Sequence, residues 1–275
     1  MKANDPEHSL RPHRILLTRG LVTIVTLVGA ITLFRASKSH FDRLELFGAA
    51  ERGDGRRVRQ LLASGVDPNS KDDRGISALV LAIDARSLSA VDSLVNAGAD
   101  VDLAVVDGAS PAHLVLDQFS EPRIIVSILS RSQDSALRAR GMRQALDLAV
   151  VHNMPDCVAT IDRTCVDINE TLPSTACPAL VYAAAHSQPE LVLALIKLGA
   201  NPDVVDSKGM TPLMCAARLG SVKTMGILIS AGSNLTSRDH ARHFTAEEWA
   251  RRAPTNSAIA VALLRSVYGK GRGAK

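Results

Sequence analysis

Residues 199–217 read GANPDVVDSKGMTPLMCAA, and this stretch decides the fold. Gly199 follows an apolar run, Val192, Leu195 and Ile196, at the point where a helix wants a left-handed cap. Asn201-Pro202-Asp203 is turn chemistry. Gly209-Met210-Thr211-Pro212 then opens a new helix, the threonine capping its first turn and the proline occupying it. The pair Ala216-Ala217 is small enough to let a second helix come close.

The pattern recurs. Ala49-Ala50, Val58, Leu61-Leu62 and Gly65 return 33 residues later as Ala82-Ile83, Val91, Leu94-Val95 and Gly98. Ala183-Ala184, Val192, Leu195-Ile196 and Gly199 return after another 33 as Ala216-Ala217, Met225, Leu228-Ile229 and Gly232. The offset from Ala50 to Ala184 is 134, four such periods plus two residues. A turn residue (Gly53, Ser187 or Gly220) ends each first helix, and apolar residues three and four apart mark one face of a second. Self-similarity at this period is the mark of a stacked repeat.

The stretch resembles the ankyrin repeat, whose typical form is G-A-D-x-N-x-x-D-x-x-G-x-T-P-L-H-x-A-A. Asp206 falls on the family's aspartate, and His113, in Ser110-Pro111-Ala112-His113, on its histidine. The resemblance covers about residues 45–267. It implies an all-α solenoid of helix-turn-helix repeats joined by short β-hairpin loops. Six to seven units are expected, starting near 45, 75, 108, 141, 176, 209 and 243. Residues 119–140 lack the cap glycine, and the loop before Gly141 is rich in arginine. In 141–176 the cap is Cys165 and the hairpin Glu170–Ala176 is about two residues long in excess. These third and fourth units are the expected weak joint. The segment from Thr245 to Val267 reads as a terminal cap with Trp249 in its core.

Composition fits a thin helical stack. The chain has 275 residues, 46% hydrophobic and 22% charged, with a net charge of +4, which excludes disorder as its main state. Four cysteines exclude a disulfide scaffold. Aromatic residues make up only 3%, and Ala, Leu and Val carry the core instead. The mild basic balance comes from scattered arginines, so nucleic acid is not an expected partner.

The N-terminus stands apart. Ile15 to Phe34 is a 20-residue run with one charge, Arg19. As a helix it would be roughly 30 Å long, the thickness of a bilayer's hydrocarbon core. Arg19 would have to snorkel to one interface. We expect a transmembrane anchor over 15–36, preceded by a polar tail (1–14) and followed by a linker (37–44), the repeats (45–267) and a basic tail (268–275). Two other readings stand beside it: a signal peptide cleaved at Val28-Gly29-Ala30, and a buried core helix. Lys2, Arg11, Arg14 and Arg19 precede the span, against Arg35, Lys38 and Arg43 after it. That balance favours a cytoplasmic N-terminus, with the repeats across the membrane, periplasmic in a bacterium.

No motif for catalysis is expected to assemble. Phosphate-binding glycine loops are missing, and Gly269-Lys270-Gly271-Arg272-Gly273 lies in the tail. His240 and His243, with Asp239 and Glu247, lack a clear zinc pattern. Ser110, His113 and Asp117 lie on one helix face and could not converge as a triad. His152 and Cys157 flank a turn and make a poor dyad. Cys215 reads as a small buried residue, while Cys165 and Cys177 flank the long hairpin and could pair in an oxidising compartment. Neither a cofactor nor a metal nor a small-molecule substrate is expected.

The resemblance implies that hairpin tips and first helices form a concave surface for a protein partner. The tips supply Arg74, then Val105, Val106 and Asp107, then Arg138 and Arg140, then Ser207 and Lys208, then Arg238. Val105-Val106 stands out as apolar at a polar tip. The expected function is non-catalytic protein–protein interaction from a membrane anchor, as an envelope scaffold or inhibitor. The alternative is a secreted effector with a cleaved signal that binds a host protein.

Overall fold

The computed structural model describes residues 32, 37–103, 110–118 and 121–272. The anchor expected over 15–36 lies outside the described residues, save Thr32. Among the described residues no helix is long and apolar enough to cross a membrane.

These residues form seven helix pairs. Helix α1 spans 37–51 and pairs with α2 (Gly55–Ala63); α3 (Ala78–Asp84) pairs with α4 (Leu88–Asn96). Then come α5 (Pro111–Gln118) with α6 (Pro122–Leu129), α7 (Ser135–Val151) with α8 (Pro155–Val158), and α9 (Ala179–Ala185) with α10 (Pro189–Lys197). The last pairs are α11 (Pro212–Leu219) with α12 (Val222–Ser230) and α13 (Ala246–Ala250) with α14 (Ser257–Arg272). The β-hairpins expected between units are reduced to single antiparallel bridges, Lys71 to Ser77 and Thr171 to Pro178. The chain divides into two compact units, Met1–Gly98 and Ala99–Lys275.

The turn chemistry falls where the repeat places it. Gly65, Gly98, Gly199 and Gly232 all take left-handed backbone after the second helices, with φ between 90° and 99°. Ser77, Ser87 and Thr211 each accept a hydrogen bond from the third backbone N–H of the helix they open. Thr245 and Glu248 form a reciprocal capping box on α13. Four of the expected unit starts coincide with left-handed residues: Gly75 (φ 80°), Ala176 (φ 53°), Gly209 (φ 72°) and His243 (φ 57°).

In the first unit, α2 meets α4 at close range. A β-carbon on Gly55 would fall 2.0 Å from Ser89 Oγ, so the contact needs glycine. Arg57 on α2 holds Glu45 on α1 through two bonds of 2.9 and 2.7 Å, which lowers the Glu45 carboxyl below its ordinary range. Helix α1 starts by residue 37, so the segment read as a linker is helical. No Gly or Pro interrupts 37–47, and Leu46, Phe47, Ala49 and Ala50 are buried.

In the second unit, Val192, Leu195, Met225 and Leu228 are buried on one face of the second helices, as their spacing requires. Side chains after the second helices tie each repeat to the next. Asp102 accepts from Gln133 N and Ser132 Oγ, Asn169 from Asn201 N, and Asp203 from Asn234 N. Apart from the Ser132 hydroxyl, these donors are backbone groups of turns that would otherwise need water.

The departures sit in the middle and at the ends. Gly141 does not open a unit: it lies buried inside the 17-residue α7. Asp134 caps that helix, and the run from Ala136 to Leu148 holds no proline, so nothing stops helix where a hairpin was expected. Helix α8 is four residues long, the shortest second helix of the described pairs. Cys165 is not a left-handed cap; Asp162 closes that turn by accepting from Thr164 N and Oγ1. At the other end α14 continues to Arg272, through most of the segment read as a tail. Glycine weakens a helix by about 1 kcal/mol but does not stop it as proline does.

Candidate functional site

The first helices of the last three pairs build one groove. Tyr182 on α9, Cys215 on α11 and Trp249 on α13 stand 33 and 34 residues apart, so the repeat itself lines them up. The groove has a volume of about 450 Å³ and takes its walls from these helices and from the tips before them.

Each tip is held by an inward-turned side chain. Asp206 accepts from Lys208 N at 2.8 Å and Met210 N at 2.9 Å. The buried Asp239 accepts from Ala241 N, Arg242 N and Phe244 N, and from the Trp249 indole N–H at 3.1 Å. Burial alone would push the Asp239 carboxyl up, but these donors outweigh it and hold it below the usual carboxylate range. The tip before α9 lacks its own aspartate. There the buried Asp147 of α7 accepts from Ser174 Oγ at 2.6 Å.

The floor is apolar and partly aromatic, with Val181, Ala185, Met210 and Cys215. Burial pushes the Cys215 thiol up to about 12, so it is not a thiolate at neutral pH. Tyr182 and His186 lie with ring centroids 4.1 Å apart. His186 Nδ1 is 2.9 Å from the Tyr182 carbonyl, which can only accept, so Nδ1 carries the proton. Trp249 is half-buried in the cap and also lines the groove. Its indole N–H bond to Asp239 and the Phe244 edge at 5.5 Å fix the ring at the surface. Arg242 lies over it, 5.6 Å from the ring centroid.

The residues expected at the tips fare unevenly. Ser207 and Lys208 are exposed, and Lys208 reaches the groove. Arg238 is exposed but bound to the His243 carbonyl and Glu248. Arg74 is paired to Asp72 in its own turn at 2.9 Å. Val105, Val106 and Asp107 lie outside the described residues. Arg138 and Arg140 are not at a tip, because α7 has absorbed the loop: Arg138 is half-buried with Nη1 3.5 Å from the Ser132 carbonyl, and Arg140 is exposed on the helix. Sequence reasoning missed Tyr182, His186, Arg218, Arg242 and Trp249. Part of the signal lay in helix register, since Tyr182, Cys215 and Trp249 recur at the repeat spacing, as do Ala185 and Arg218; Arg242 lies in the turn before α13.

The residues weighed for chemistry take structural places. Ser110 Oγ lies 2.9 Å from His113 Nδ1 at the start of α5, the capping bond that the repeat histidine makes. The His240 ring packs where a Gly209 β-carbon would stand. Cys165 and Cys177 are separate free thiols, and the Cys165 sulfur faces Asp162 Oδ2 at 3.4 Å. Among the described residues no three His, Cys, Asp or Glu side chains gather as metal ligands would.

Paired short helices with left-handed turns, tip aspartates and Thr-Pro openings define the ankyrin-repeat class. The protein carries ankyrin repeats: residues 146–239 match the family model described as ankyrin repeats (3 copies). The chain is 27% identical over 199 residues to the ankyrin repeat protein YahD of Escherichia coli (strain K12), covering 67% of this chain and 94% of YahD. It is 28% identical over 178 residues to inversin of Homo sapiens, covering 63% of this chain but only 16% of inversin. Among solved structures it is similar to the ankyrin repeat domain of Bcl-3, a member of the IkappaB protein family, with a TM-score of 0.52. That likeness spans 80% of this chain and 97% of the Bcl-3 chain at 21% identity, and shows the fold alone.

Proposed function

We propose that this protein is a non-catalytic interaction module that takes a protein partner in the groove across α9, α11 and α13. The observation that carries this is the half-buried Trp249, fixed over an apolar floor beside cations that have no carboxylate partner among the described residues. Ankyrin repeats in general are protein-binding modules. An anchor over 15–36 would tether the repeats to a membrane, on the far side from a cytoplasmic N-terminus and periplasmic in a bacterium. An envelope scaffold or inhibitor follows from that placement. The support for it is the apolar run Ile15 to Phe34 and its flanking charges.

Two experiments test the proposal. A photoreactive residue at Ala185, which lines the groove without a charge, should cross-link a protein in living cells, while one at Leu193 on α10 should not; the reverse pattern would sink the groove as the interface. Fractionation of a bacterium expressing the full chain, with protease applied to spheroplasts, tests the anchor. Full-length chain in the membrane, digested from outside, is expected. A soluble product shorter by the first 30 residues would point instead to a secreted binder cleaved at Ala30.

A further inference from the structure

We infer that the groove across α9, α11 and α13 receives an acidic linear segment of the partner, an inference that rests on the interaction role proposed above. The argument is one of unmatched charge. Lys208, Arg218 and Arg242 border the groove and are exposed. Among the described residues none of the three lies within ion-pair distance of a carboxylate.

Elsewhere in the same unit several exposed cations are matched, though Arg123, Arg163 and Lys197 have no ion pair among the described residues; what marks the groove is that three unmatched cations border one cavity. Arg143 meets Glu170 at 2.6 Å, Lys223 meets Glu190 at 2.5 Å, and Arg251 and Arg265 share Glu247. The two acids that line the groove do not serve its cations. Asp206 spends its Oδ1, and Asp239 both its oxygens, on backbone N–H groups of the tips, and Asp239 takes the indole as well. The carboxylates are turned inward to hold the walls, and the cations are left to the cavity.

A segment that alternates carboxylates with apolar side chains complements both features. Its acids would pair with Lys208 and Arg218, and with Arg242 where the guanidinium lies over Trp249. Its apolar groups would fill the cavity of about 450 Å³ between Val181 and Met210. With Nδ1–H of His186 given to the Tyr182 carbonyl, Nε2 is the ring nitrogen left to bond the segment. Recognition of acidic motifs by clustered arginines is an established mode, and it steers encounter as well as fixing register.

The test uses the full chain in mild detergent and three series of synthetic peptides. All alternate Leu or Phe with a second residue: Glu in one series, Ser in the next, Lys in the third. Trp249 is the only tryptophan of the chain, so its fluorescence reports occupancy of the groove. The Glu series is expected to bind, to shift Trp249 emission and to weaken with added salt. Lys208→Glu with Arg218→Glu should lower its affinity by about tenfold or more and admit the Lys series. Arg218→Gln, a milder change, should weaken the Glu series without admitting the Lys series, and melting curves matched to the parent show that both variants fold.

Equal or tighter binding by the Ser or Lys series, with the Trp249 shift retained, would overturn the acidic segment and leave the interaction role standing. Failure of every series to shift Trp249 would overturn it too. The interaction role would then be decided separately, by the cross-link from Ala185.

Discussion

Gly141 lies so close to Leu129 that a β-carbon on it would stand 1.7 Å from Leu129 Cδ1 and 3.1 Å from Leu116 Cδ2. Leu129 is fully buried, so its side chain has no room to step aside. Gly141→Ala should gain about 1 kcal/mol of helix propensity. It should lose more through overpacking, for a net destabilisation of about 1–2 kcal/mol. Urea unfolding followed by circular dichroism measures this. A midpoint unchanged or raised would show that α7 can slide away from α6.

The tips offer an opposite pair. Ala176 holds φ 53° at the position where Gly75 and Gly209 stand. Ala176→Gly relieves that backbone and should stabilise the fold by about 0.5–1 kcal/mol. Gly209→Ala should do the reverse, because its φ is 72° and its β-carbon would meet the His240 ring at 2.4 Å. Thermal melting of both variants checks the sign, and a lower melting temperature for Ala176→Gly would refute the argument.

Asp239 makes the cap sensitive to acid. Its pKa is lower folded than unfolded, so the stability it contributes is present above the ordinary aspartate range. That stability is lost as pH falls from about 4 through the folded value. Asp239→Asn should therefore destabilise the protein at neutral pH, with the gap to the parent closing as pH falls below about 4. Trp249 fluorescence during urea unfolding at several pH values reads the gap. A gap independent of pH would mean that the ionised carboxylate is not what holds the indole.

The four cysteines should divide by burial. Burial raises the Cys157 thiol to about 11 and the Cys215 thiol to about 12. Cys165 and Cys177 are partly exposed and free, and burial raises the Cys177 thiol as well, so Cys177 should react the more slowly of the two. A native-state thiol titration near pH 8 should label Cys165 and Cys177 and spare the other two, while denaturant exposes all four. Labelling of none of them before reduction would indicate a Cys165–Cys177 bond.

How far the sequence reached is visible residue by residue. The glycines at 65, 98, 199 and 232 were legible because a left-handed cap has few alternatives, and Thr211-Pro212 because capping is local chemistry. Hairpin turns at 75, 176, 209 and 243 were legible for the same reason, even where Ala176 and His243 replace glycine. The turn at 141 misled, since a glycine reads alike whether it bends the backbone or admits a neighbouring helix.

What the sequence by itself determined is the repeat: its period, its caps and its buried faces, all of which depend on residues a few positions apart. Only the tertiary structure decided that Leu129 makes Gly141 a packing residue and that Asp147 serves the tip of another repeat. It alone showed that Asp239 turns inward while Lys208, Arg218 and Arg242 have no carboxylate partner among the described residues around Trp249. The packing of Gly141, the Asp147 bond and the Asp239 indole bond depend on which side chains meet across 10 or more residues of chain. Periodicity places such groups on a common face, but the geometry of packing chooses their partners.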